Sequence, residues 1–187
     1  MILPIVAYGT PVLKKKAAEI LPEHPSLKTL IDNMFDTMYQ AHGVGLAAPQ
    51  VGESLRLFIV DATPFAEDEP ALKGYKKAFI NAQMLEESGT PWKFNEGCLS
   101  IPTIREDVER KPLIKLQYQD ENFQTHEEEF SGLLARIIQH EYDHIEGVLF
   151  TDRISQLRKA LLRSKLQHVS KGNVKVDYRM KFPLMRK

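Results

Sequence analysis

The sequence predicts an α+β fold: short strands interspersed with three helices in one domain. Apolar residues recur at helical spacing in three segments, about 26–41, 131–145 and 154–169. Between them lie short runs with the alternation or β-branched content of strands. No regular strand–helix–strand rhythm links these elements, which argues against a doubly wound parallel sheet. At 187 residues the chain fits a single domain over 1–187 and can bury a core without disulfides. No internal repeat or low-complexity linker divides it.

The first helix is expected over 26–41. Leu27, Leu30, Ile31, Met34, Phe35 and Met38 share a face, Ser26 stands where a cap belongs, and Gly43 follows the end. A glycine-bearing segment comes next, Gly43-Val44-Gly45-Leu46-Ala47-Ala48-Pro49-Gln50-Val51-Gly52. Leu57–Asp61 reads as a strand, followed by an acidic, proline-bearing loop over 63–74. Further strands are expected over 79–85 and 113–118. In the latter, Ile114, Leu116 and Tyr118 alternate with Lys115 and Gln117, so one face is buried. Asp120-Glu121-Asn122 marks a turn into a partner strand near 123–130. The second helix starts near Ser131 and ends near Ile145, with Gly147 just beyond. In the third, over 154–169, Ile154, Leu157, Leu161 and Leu162 are expected to face the core. The stretch 174–182 is strand-like.

Formal net charge is zero, but the charge is segregated. From Arg153 onward eleven lysines and arginines face one acid, Asp177, leaving 14 basic and 24 acidic groups over 1–152. An acidic body with a basic helix and tail points to a polyanionic partner for the tail. No apolar run is long enough to span a bilayer, and Met1-Ile2-Leu3-Pro4-Ile5-Val6 lacks the features of a signal peptide. A cytoplasmic protein is therefore expected, with neither membrane nor DNA as partner. The lone cysteine, Cys98, excludes an internal disulfide and leaves three roles: core filler, metal ligand or nucleophile.

His140-Glu141-Tyr142-Asp143-His144 is an HExxH pattern. Positions i and i+4 share a helix face, so both imidazoles can reach one metal ion, while Glu141 can approach a water on that ion. With three fixed positions, a chance match stays open on this pattern alone. Leu133, Ile137, His140 and His144 form one stripe, so the imidazoles continue an inward, apolar line and need partners there. Asp143 and Gln139 are the candidates for a supporting hydrogen bond. A catalytic site needs a third protein ligand. Glu146, two residues after His144, points to another side of the helix. Upstream stands Glu96-Gly97-Cys98-Leu99-Ser100, where Cys98 reads either as a small buried hydrophobe or as a soft ligand. Gln50 taken alone reads as a polar turn residue. Glu96 and Arg110 either pair to hold the Cys98 segment or are unrelated surface charges.

Gly43-Val44-Gly45-Leu46-Ala47-Ala48-Pro49-Gln50, Glu96-Gly97-Cys98-Leu99-Ser100 and Gln139-His140-Glu141-Tyr142-Asp143-His144 occur in that order. Together they resemble the GxGxAAxQ, EGCLS and HExxH motifs of peptide deformylases, and the likeness runs on through Ile101-Pro102 to Val108 and Arg110. The resemblance implies short antiparallel strands surrounding a central metal-bearing helix. It implies Cys98, His140 and His144 as ligands of one divalent ion, Fe²⁺ favoured, with Zn²⁺ able to replace it. It implies Glu141, Gln50 and the Leu99 backbone as catalytic groups. The stretch containing Gly45 would border the substrate backbone, and Val44, Leu133 and Ile137 would line the methionine pocket. A core role for those three stays open, and Arg136 departs from the apolar helix face expected there. The substrates implied are formyl-methionyl nascent peptides, with the ribosome a candidate partner of the basic C-terminus.

Such residues can perform the chemistry. A divalent ion lowers the pKa of bound water from near 16 to roughly 7. Glu141 would take the proton and return it to the departing amine, while Gln50 and the Leu99 N–H face the developing oxyanion. Two other readings remain at this point. HExxH also serves zinc endopeptidases, which would tolerate Cys98→Ala. A structural metal in an RNA- or ribosome-binding protein would need a fourth protein ligand.

Overall fold

The computed structural model describes residues 1–184, so Arg186 and Lys187 of the basic tail lie outside the described residues. Its strands begin with β1 (Ile5–Val6), β2 (Gly45–Ala47), β3 (Leu57–Asp61), β4 (Lys76–Ser88) and β5 (Trp92–Cys98). They continue with β6 (Ile101–Arg110), β7 (Leu113–Gln119), β8 (Thr125–Ser131) and β9 (Met180–Lys181). The helices are α1 (Leu27–Gln40), α2 (Gly132–Ile145) and α3 (Gln156–Ser170). The α+β class expected from the sequence is the one observed. No helix among the described residues is long and apolar enough to cross a membrane.

Helix α1 buries Ile31, Met34, Phe35 and Met38 along one face, as their spacing requires. Its ends depart from expectation. Ser26 is left-handed and its side chain caps nothing, since a capping hydroxyl needs an extended backbone at that position. At the other end the left-handed residue is His42, with φ 56°. Gly43 instead supplies an N–H that bonds back to the Met38 carbonyl at 2.9 Å.

Five strands form one antiparallel sheet in the order β2-β3-β4-β7-β8. β4 runs past its expected ends, with register shifts against β7. Phe58, Phe79, Tyr118 and Phe130 from this sheet cluster with Ala135, Ile137, Ile138 and Ile145 of α2. The chain passes from β8 into α2 without a loop, because Gly132 turns at φ 59°. Beyond α2, Gly147 has φ 73°, and a Cβ there would meet the Lys14 backbone at 2.8 Å. β5 and β6, which show no strand pattern in the sequence, form a separate antiparallel hairpin. Arg136 ties α2 to it through the Val108 carbonyl, at 3.0 Å.

Helix α3 packs Leu162, Leu166 and Val169 against Ile101, Ile104 and Val108 of β6. This corrects the expected packing face: Leu157 is 72% and Leu161 63% exposed, and only Ile154 and Leu162 of the four point inward. Residues 157 and 161 have the same helical spacing as 162 and 166, so periodicity alone does not choose between the stripes. Two of the helix's basic residues, Arg158 and Lys159, are engaged in ion pairs at its surface. Arg158 pairs with Glu106 and Lys159 with Asp152. The strand expected over 174–182 shrinks to β9, which lies parallel to β1.

Candidate active site

His140 and His144 project from α2 one turn apart, with ring centroids separated by 5.1 Å. Cys98 ends β5, where the ladder with β6 slips its register between Gly97 and Cys98. Leu99-Ser100 then forms the two-residue tip of the hairpin. The tip carries Cys98 Sγ to 3.4 Å from His144 Nε2. The ligand atoms of Cys98, His140 and His144 all lie within 4.8 Å of one another.

The surroundings fit a cation at that point. Burial disfavours a charged His140, yet hydrogen bonds with Cys98 and Glu96 outweigh it and raise the imidazole well above its ordinary range. His144 is driven the other way, by burial and then by repulsion from His140 and Arg110. One soft donor and two imidazoles suit the iron-to-zinc range, and three protein donors is the count of a catalytic site.

The partner of His140 is neither Asp143 nor Gln139. Glu96 Oε2 lies 2.9 Å from His140 Nδ1. Gln139 instead donates to the Lys111 carbonyl, and Asp143 accepts from Arg110 and Arg153. The suggested Glu96–Arg110 pair is present, with guanidinium donors at 2.7 and 2.9 Å. Arg136 adds a third guanidinium bond to the same carboxylate at 3.0 Å. Burial would raise the Glu96 carboxyl, but Arg110 and His140 hold it well below the usual carboxylate range. Two residues before Cys98 on β5, Glu96 faces the same side, a placement that follows only once this stretch is a strand.

Glu141 lies buried beside the cluster, and its Oε2 has no partner among the described residues. Burial pushes its carboxyl up, His140 opposes this, Glu96 adds to it, and the balance sits at about 7. Gly45 makes the placement possible, since a Cβ there would stand 2.5 Å from Glu141 Oε1. Gln50 is buried, with Oε1 accepting from the Ala47 N–H at 2.8 Å. That contact turns its amide nitrogen toward Cys98 Sγ and Ser100 Oγ, each at 3.4 Å.

A cavity of about 670 Å³ opens over these groups. Val44, Gly45, Leu133 and Ile137 line it together with Gln50, Cys98, Leu99, His140 and Glu141. His144 is buried behind them. Arg136 also reaches the wall, but its charge is engaged: it stacks on Trp92 at 4.5 Å and donates to the Trp92 carbonyl. Segment 175–178 borders the same cavity, a placement with no motif or periodicity to signal it.

Two histidines one turn apart, a thiol beside a hairpin tip and a buried carboxylate alongside are the groups a hydrolase would use. Comparison with known proteins narrows this class. A family model described as polypeptide deformylase matches residues 2–160. The peptide deformylase of Christiangramia forsetii is 57% identical over 100% of this chain and 99% of its own. That of Cytophaga hutchinsonii is 50% identical, with full coverage of both chains. Among solved structures, the Thermotoga maritima peptide deformylase superposes with TM-score 0.75 at 41% identity, covering 83% of this chain and 99% of that one. The Legionella pneumophila peptide deformylase gives TM-score 0.80 at 36% identity, covering 92% and 98%. The chain belongs to the polypeptide deformylase family, hydrolases that remove N-formyl groups from nascent peptides.

Proposed function

We propose that this single domain hydrolyses the formamide of formyl-methionyl nascent peptides in the cytoplasm, with Cys98, His140 and His144 holding one divalent metal ion. The convergence of those three ligand atoms beside the partnerless Glu141 carboxylate carries the reading. When bound, the ion would polarise the formyl carbonyl and acidify a water; Fe²⁺ is the favoured identity, with Zn²⁺ able to take its place.

The chain's own residues do the rest. Glu141, poised near neutrality, accepts a proton from the attacking water and returns it to the amine that leaves as formate is released. Gln50 Nε2 and the Leu99 N–H donate to the carbonyl oxygen as it gains charge. Val44, Leu133 and Ile137 surround the methionine side chain, and Gly45 admits the substrate backbone close to Glu141. Glu96 holds the His140 ring in place. The basic C-terminus contacts the ribosome through Arg163, Lys165 and Lys171, which lie clear of the pairs formed by Arg158 and Lys159.

The test is Glu141→Ala, assayed on a formyl-Met peptide beside metal analysis. The variant should keep its ion and lose turnover by at least about a hundredfold, the scale of general acid–base catalysis. Loss of the ion, or near-normal activity, would count against Glu141 as the proton carrier.

A further inference from the structure

The family match ends at residue 160, yet the chain returns to the cavity beyond it. After α3 the backbone runs along the cavity mouth through Lys175, Val176, Asp177 and Tyr178 before β9 anchors it on β1. Tyr178 packs in the α1 cluster beside Leu99 and Met180. Its hydroxyl donates to the Leu99 carbonyl at 2.8 Å.

Leu99 needs such an anchor. As half of a two-residue hairpin tip, it lies outside the β5–β6 ladder. Its N–H has no intramolecular acceptor among the described residues, so it is free to serve a substrate oxygen. The residues around it are fixed: Cys98 by the cluster, and Ser100 by a bond from the Tyr8 N–H to its carbonyl at 2.8 Å. Gly43 presses from the other side, where an added Cβ would meet Leu99 Cδ1 at 2.8 Å. Within the tip the Leu99 carbonyl is held by Tyr178. Holding it sets the Leu99–Ser100 peptide plane, and with Cys98 held on the other side the Cys98–Leu99 peptide that carries the N–H keeps little freedom to rotate.

We infer that Tyr178 is a positioning residue for the reaction, holding the Leu99 carbonyl so that the hairpin tip stays in the conformation that points the Leu99 N–H at the developing oxyanion. Donors that are aimed before the charge appears lose no free energy to reorganisation, which is why a hydrogen bond outside the reacting atoms can alter turnover. The inference rests on the reading of Leu99 as an oxyanion donor.

The experiment compares wild type and Tyr178→Phe, which removes the hydroxyl and keeps the ring. Steady-state kinetics on a formyl-Met peptide and metal content are measured on both. The mobility of the Leu99 amide is read by ¹⁵N relaxation in the zinc-loaded, leucine-labelled protein. Tyr178→Phe should lower kcat about fivefold, the equivalent of one ordinary hydrogen bond. KM and metal content should stay unchanged, and the Leu99 amide should become more mobile. Unchanged mobility, or a loss of kcat matched by lost metal, overturns the positioning role. Raised mobility with unaltered kcat shows that Tyr178 holds the peptide but that Leu99 is not the donor. That outcome overturns the inference through the assignment beneath it, and Glu141→Ala tests the wider reading separately.

Discussion

A methyl group on Gly45 would stand 2.5 Å from the Glu141 carboxylate, which is buried and cannot swing into solvent. Gly45→Ala should therefore displace Glu141 and lower turnover on a formyl-Met peptide by roughly tenfold or more, since misplacement of about 1 Å can cost a hundredfold. Metal content should change little, because neither residue is a ligand; wild-type turnover in the variant would show that the carboxylate tolerates the shift. At this scale the sequence is informative where spacing alone implies geometry. His140 and His144 needed only helical periodicity. Glu96 was legible as a candidate partner of Arg110, but not of His140, because the strand that turns it to the Cys98 side gave no hydropathy signal. Gln50 came only through the motif resemblance, because the folded turn from Ala47 is what aims its amide at Cys98. Tyr178 lay beyond any local pattern, its partner being 79 positions away in the chain.

Helix α3 shows where periodicity runs out. Its two leucine stripes have equal spacing, and the position of β6 decides between them. Leu162→Ala should cost about 2–5 kcal/mol in urea unfolding, whereas Leu157→Ala should stay within roughly 0.5 kcal/mol. Equal losses would contradict the packing described for this helix. The β5–β6 hairpin was hidden for a different reason. Along β6 every second residue is buried, but two of the buried positions are Glu106 and Arg110. Arg158 neutralises the first, and Glu96 with Asp143 neutralises the second. A strand whose inward face carries charge does not alternate in hydropathy, so the usual signal is erased. By contrast β7, with Ile114, Leu116 and Tyr118 inward, was legible residue by residue.

Across the whole molecule, the charge segregation seen in the sequence survives folding only in part. Arg153, Arg158 and Lys159 are drawn into pairs with Asp143, Glu106 and Asp152, so a polyanion would have to be met by the farther cations of α3 and the tail. Reversing Arg163 and Lys165 to glutamate should weaken co-sedimentation with ribosomes, and wild-type binding should fall steeply with added salt. Hydrolysis of a short formyl-Met peptide should be nearly unchanged by the same reversals. Binding indifferent to both salt and reversal would leave α3 an ordinary solvated face. The domain's central feature is that sheet, helix α2 and hairpin bring Cys98, His140 and His144 to one point. The most direct test is to strip the metal from anaerobically purified protein, return Fe²⁺ in measured amounts, and follow formate release from a formyl-Met peptide. Activity should be absent from the stripped chain, rise in proportion to added ion, and level off at about one ion per chain, with Cys98→Ala recovering none. Turnover without metal, or full recovery in Cys98→Ala, would contradict the account.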